Sequence, residues 1–365
     1  MSRITRRAAA AALLFATGAA AFESNAGGAA DATTNWGLGA RGEALGRAYG
    51  PLADDAGAIY WNAAGLAYLT RDEVAFAYGQ PYKEIGGVSV GDAAVAKPLL
   101  YAVAAEAGGA GSLGTLGAAV AFRRVSGIPE ADADGLTGRA FADTDVDFYI
   151  AYAHTVGKKA ALGLTLKDIT RTVAGYDDSG FGLDLAAQYR PFAGVNVGAV
   201  LRNLISPSYE LYALRDAPPL TLELGAAWRP LPLFAVTAAG ELTRETFYNA
   251  GGGIEVAPIK YVALRGGYAL GDGRPRAGLG LKFGDFHFDY ALRFGGDLGD
   301  CHLASVAFLF GGPPAVPVDN PEGEGYINEN GGEGKPGGEP PPLIPGIPGF
   351  PGVDDAGGED DGEAP

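Results

Sequence analysis

The sequence predicts an all-β fold, a transmembrane antiparallel β-barrel, and three observations carry that prediction. The first is alternation. Residues 285–293 place Phe286, Phe288, Tyr290 and Leu292 between Asp285, His287, Asp289, Ala291 and Arg293. Successive side chains of a strand point to opposite faces, so one face here is apolar and the other carries charge. Residues 145–152, 181–190, 195–202, 220–228 and 276–283 repeat the pattern with turn residues between them. The second is the start of the chain, which reads as an export signal: Arg3, Arg6 and Arg7, an apolar run over 8–16, then Ala19-Ala20-Ala21 as a cleavage site. The third is that no stretch of about 20 residues is continuously apolar, which excludes spanning helices. A chain in a membrane without such helices crosses it as a closed sheet.

Four regions follow along the chain. Residues 1–21 are the expected signal peptide, 22–71 a non-strand segment rich in Gly and Ala, 72–310 the strand region, and 311–365 a Pro/Gly/acid tail. Within 72–310, short turns at 157–159, 191–194, 230–232, 257–259 and 284–285 alternate with longer or more polar connections near 126–144, 172–180, 204–219, 271–275 and 294–300. That alternation is expected of outer-membrane barrels, whose short turns face the periplasm. Counting back from a last strand at 301–310 gives twelve strands to about residue 114. Strands at 73–81 and within 88–106 bring the number to fourteen, with twelve and sixteen left open. The same phase sets Tyr189, Trp228, Phe283 and Phe310 on the apolar face at the periplasmic end, as an aromatic girdle at headgroup level.

The formal net charge of −16 is uneven. Residues 311–365 hold twelve acids and one lysine. High charge with abundant Pro and Gly cannot offset the entropy of ordering, so the tail is expected to be disordered and, following a descending last strand, periplasmic. The acidity disfavours nucleic acid. The single cysteine, Cys301, allows no intrachain disulfide. His154, His287 and His302 lack metal-ligand spacing, and no nucleophile motif, phosphate loop or dinucleotide fingerprint occurs in a fitting context. The expectation is a protein that is not an enzyme, with no metal and no cofactor.

Ahead of the strands, residues 39–50 read GARGEALGRAYG and residues 53–67 read ADDAGAIYWNAAGLA. Asp54 or Asp55 can cap a short helix there, and Gly65 can end it. This segment resembles the N-terminal signature of the FadL-like outer-membrane barrels and, more closely, of their PorV/PorQ relatives, in which an "ADDA…YWNPAGLA"-like run precedes the barrel. Ala63 stands where that run has Pro. Residues 185–191, 196–204, 258–268, 289–291 and 296–299 look like the same family in the same order. The resemblance covers most of residues 37–310. It implies a fourteen-stranded barrel with an N-terminal plug, in which Asp54, Asp55, Trp61, Asn62 and Gly65 form the plug and gating motif.

The strand phase also selects the lumen-facing side chains. They include Asp147, Asp184, Arg202, Glu223, Glu241, Glu255, Arg265, Lys282, His287, Asp289 and Arg293, with Gly198, Gly225, Gly251 and Gly280 between them. Either these charges pair with one another and with the plug, or they line a polar conduit. Two functions are expected from the resemblance. One is passive transport of a small hydrophobic solute, gated by the plug. The other is a secretion-system barrel of the type IX kind that docks proteins without moving a solute. Outer-membrane lipid is the expected surrounding. For the second reading, the apolar residues 343–351 within the acidic tail are a candidate docking segment for a periplasmic or secretion-system protein.

Overall fold

The computed structural model describes residues 36–84, 86–102, 110–211, 214–243, 247–295 and 299–312, with 326–327 and 333–334. The expected signal peptide, and nearly all of the tail, lie outside these residues. Of the tail, Tyr326–Ile327 and Glu333–Gly334 pair as a two-residue ladder.

Fourteen antiparallel strands close on themselves. In chain order they are β1 (Asp72–Gln80), β2 (Val88–Ala102), β3 (Ala110–Asp132), β4 (Gly135–Val156), β5 (Ala160–Val173), β6 (Tyr176–Phe192) and β7 (Val195–Ile205). Then come β8 (Thr221–Leu231), β9 (Phe234–Thr243), β10 (Phe247–Ile259), β11 (Val262–Ala269), β12 (Arg274–Phe283), β13 (Phe286–Arg293) and β14 (Cys301–Phe310). Each pairs with its neighbour in sequence, and β1 pairs with β14 from Asp72–Phe310 to Gln80–His302. Closure leaves no edge with unpaired N–H and C=O groups. The strand number is the one the alternation predicts.

The connections differ from expectation at two places. Residues 126–144 and 172–180 are not loops. β3 and β4 run on to a turn at 133–134, and β5 and β6 to a turn at 174–175. Beyond the apolar band a strand is solvated on both faces and loses its alternation, so it reads as a polar connection. Ladder pairing and a cross-strand ion pair hold it: Arg139 Nε lies 2.8 Å from Glu130. Residues 206–220 do form a long connection, with Tyr209–Leu211 paired to Leu214–Asp216. The links at 157–159, 193–194, 232–233, 260–261 and 284–285 are short and lie at one end, hereafter the short-turn end. β1 starts and β14 finishes at that same end.

The two faces of the wall separate cleanly. Leu222, Leu224, Leu264, Phe286 and Phe308 point outward and are exposed. Tyr189, Trp228, Phe283 and Phe310 are also exposed, each within three residues of the end of its strand at the short-turn end. The inner face carries small residues instead. Ala94, Ala96, Ala119, Ala151, Ala153, Ala161, Ala186, Ala227 and Ala235 are buried there against residues 38–66. The core of the molecule is therefore inside the barrel, and residues 36–71 fill it.

Candidate functional site

The plug is a chain of short pieces: α1 (Ala40–Ala44), a 3-10 turn at Gly50–Leu52, α2 (Ala58–Trp61) and a 3-10 helix at Ala63–Tyr68. None is long enough to be stable alone. They persist because their apolar side chains are enclosed: Leu45, Tyr49, Ile59, Trp61 and Leu66 are essentially inaccessible to solvent. Trp61 donates its Nε1–H to the Leu38 carbonyl (2.8 Å) and packs edge-to-face with Tyr49 and Tyr60. Glycines in the wall make the fit possible. A Cβ on Gly253 would come 2.6 Å from the Leu45 carbonyl oxygen, and one on Gly225 would come 2.7 Å from the Pro51 ring. A Cβ on Gly117 would meet Ile59 at 2.7 Å. Each such position is a close approach of wall backbone to plug.

Residues of the expected gating motif sit within this plug, in roles that differ from the expected ones. Neither Asp54 nor Asp55 caps a helix, because Gly57 holds the N-cap position of α2 and makes no side-chain cap. Asp55 Oδ1 instead accepts from Gly57 N (2.9 Å), a local turn, and Asp55 Oδ2 accepts from Tyr49 OH (2.6 Å). Asn62 is the capping residue, accepting from Ala64 N (3.1 Å) while its Nδ2 donates to the Ala187 carbonyl of β6 (3.2 Å). Gly65 does not end the helix; it lies inside it, where a Cβ would strike the Ala53 carbonyl.

The wall holds the two halves of the plug differently. Against Gly50–Tyr68 it uses mostly neutral donors. Thr165 donates to the Ile59 carbonyl (3.1 Å), Gln188 to that of Pro51 (3.1 Å) and Asn196 also to Pro51 (3.2 Å). Two arginines are exceptions: Arg202 donates to the Tyr60 carbonyl (2.8 Å) and is neutralised by Glu223 (2.8 Å), and Arg190 stacks on the Tyr68 ring. Against residues 36–47 the wall uses charge. Arg41 forms a two-point pair with Glu255 (2.9 and 3.1 Å) and also reaches Asp54. Arg265 bridges Glu255 (2.8 Å) and Asp289 (2.5 Å). Glu43, about 1% exposed, accepts from Arg276 (3.0 Å) and lies 3.7 Å from Arg293. Arg293 also covers the Trp36 ring at 4.4 Å.

The remaining lumen positions are also accounted for. Asp184 takes Lys167 (3.0 Å), and Asp147 is buried and accepts from Tyr149 OH (2.9 Å). Glu241 faces Glu223 across the β8–β9 ladder and is the acid that most favours the Arg47 charge. Lys282 and His287 line a cavity of about 250 Å³ between plug and wall, together with Asp54, Asp55, Glu73 and Asp289. Within the plug, burial raises the Asp55 carboxyl, against the pull of Arg41. Burial also works against the Arg41 charge, but Asp54 and Glu255 hold its pKa well above the ordinary value. Among the described residues, no cluster of His, Cys, Asp and Glu is placed to hold a metal ion. Sequence reading missed Arg41 and Glu43 as anchors. The available signal was their charge in a Gly/Ala segment, opposite inward Glu255 and Arg276.

No family model matches the chain, and no curated protein is similar to it in sequence. Solved structures are similar in fold. The toluene transporter TodX of Pseudomonas putida superposes with a TM-score of 0.50 at 12% identity, covering 75% of this chain and 96% of its own. A deltaS2S3 mutant of TodX, described as a monoaromatic hydrocarbon channel, gives 0.50 at 11% identity, with 72% and 98% covered. A FadL homologue of Pseudomonas aeruginosa gives 0.49 at 10% identity, with 76% and 97% covered. What the two TodX structures share with this chain is the fold.

Proposed function

We propose that this chain is an outer-membrane barrel for passive transport of a small hydrophobic solute, gated by the N-terminal plug. One observation carries the reading. A closed barrel with an apolar outer face encloses an N-terminal segment, and that segment is tied to one side of the wall by charge pairs. The likeness in fold to a channel described as carrying monoaromatic hydrocarbons supports the choice of solute class. The motif at residues 39–67 supports the narrower placement beside PorV/PorQ. On this reading residues 1–21 direct export, and the short-turn end faces the periplasm.

The cavity between plug and wall is lined by both signs of charge, which suits release of the plug better than a resting site for an apolar ligand. The test is paired: planar-bilayer conductance, and toluene entry into liposomes, for the mature chain with and without residues 22–71. Removing the plug should raise both. A barrel as impermeable without the plug as with it would sink the reading. It would favour a protein-docking barrel, for which the apolar residues 343–351 in the acidic tail are the supporting feature.

A further inference from the structure

We propose that the short-turn mouth of the barrel carries a binding site for the dianionic phosphate group of a small solute, held by Lys159, Arg190 and Arg229. The three cations come from neighbouring parts of the wall: the β4–β5 turn, the end of β6 and the end of β8. They line a cavity of about 370 Å³, in which Asp54 is the one acidic residue. Asp54 is already engaged, since its Oδ1 lies 2.5 Å from Arg41. Arg229 Nη2 stands 3.9 Å from Asp54 Oδ2 and 3.9 Å from Glu255 Oε1, outside hydrogen-bond distance of both.

Arg190 is the decisive residue. Its guanidinium carbon stacks 3.3 Å from the Tyr68 ring centroid, and its Nε is buried with no hydrogen-bond partner. Stacking on an aromatic face fixes the plane of a guanidinium and leaves its in-plane N–H donors free. Lys159 Nζ donates to the Pro191 carbonyl (2.7 Å), which uses one of three donors. The nearby acids are committed elsewhere, Asp54 to Arg41 and Glu255 to Arg41 and Arg265, so three cations brought together here repel one another unless an anion joins them. Guanidinium forks beside an ammonium suit the oxygens of a phosphate dianion. The site does not depend on whether an apolar solute crosses the barrel.

The test uses the full chain in zwitterionic detergent, titrated with inorganic phosphate at constant ionic strength and followed by phosphorus NMR line broadening. The wild type should show saturable broadening. Arg190→Gln with Arg229→Gln should weaken it by on the order of ten-fold or more, because charged hydrogen bonds are lost. Lys97→Gln should not weaken it, since Lys97 is exposed and pairs with Asp72. Should the double variant fail to fold, Lys159→Gln on its exposed turn should still weaken binding several-fold. Wild type without saturable broadening would overturn the proposal, as would a folded double variant, or a Lys159→Gln variant, that keeps its affinity. Acetate displacing phosphate at equal concentration would overturn the assignment to a dianion.

Discussion

The two halves of the plug are fastened to the wall in contrasting ways. Residues 50–68 rest on alanine and glycine and receive hydrogen bonds from Thr165, Gln188 and Asn196 to their carbonyls. Residues 36–47 are held by Arg41–Glu255 and by Glu43 with Arg276. A neutral hydrogen bond contributes about 0.5–1.5 kcal/mol net and is insensitive to charge. A buried ion pair contributes little net, yet removing one partner strands the other. The neutral half is thus built to stay, and the charged half to respond.

The sharpest way to break this contrast is Glu43→Gln. It removes one of the two carboxylates that Arg276 and Arg293 share, Asp272 being the other, and should cost about 3 kcal/mol, the low end for a broken buried pair. Hydrogen exchange should rise over residues 40–47 while 58–68 stay protected. Equal loosening of both halves would show that the plug moves as one unit. Leu264→Arg should cost about 2–4 kcal/mol near mid-bilayer, read as lost heat-resistant migration of the refolded barrel. If it folds as well as wild type, the outward face has been misassigned. In the neutral half, Asn62→Ala removes the cap and the link to Ala187 and should cost about 1–3 kcal/mol, seen in thermal unfolding.

The smallest expected effect concerns pH. A carboxyl raised in the folded plug binds its proton more tightly there than in the unfolded chain. Its stabilisation is therefore complete below the ordinary carboxyl range and is lost as pH rises through the raised value. Asp55→Asn should flatten that dependence in melting curves taken from the ordinary carboxyl range upward. An unchanged slope would remove Asp55 as its source.

Much of this was legible in the chain, for a physical reason. Period-two alternation is enforced wherever a strand has lipid on one side and protein on the other, so β6, β8 and β13 announce their faces residue by residue. Inward Arg202, Glu223, Glu255 and Arg265 followed from the same phase. The tall hairpin of β3 and β4 was not legible, because a solvated ladder has no apolar face to mark it. Nor were the roles of Arg41 and Glu43. Their partners Glu255 and Arg276 lie more than two hundred residues away and are brought near only by closure. The roles of Asp55 and Gly65 depended on contacts with Tyr49 and Ala53, which local propensity does not encode.

The pairing of β1 with β14 sets an order of events in assembly. The seam joins the first and last strands made, so the cylinder cannot be sealed until synthesis of the barrel is complete. The segment that ends up inside is made before any strand and is joined directly to β1. Wall glycines such as Gly117, Gly225 and Gly253 bring the wall backbone directly against it. The step that seals the cylinder therefore also anchors the base of the plug, because the strand that closes the seam is the one the plug runs into.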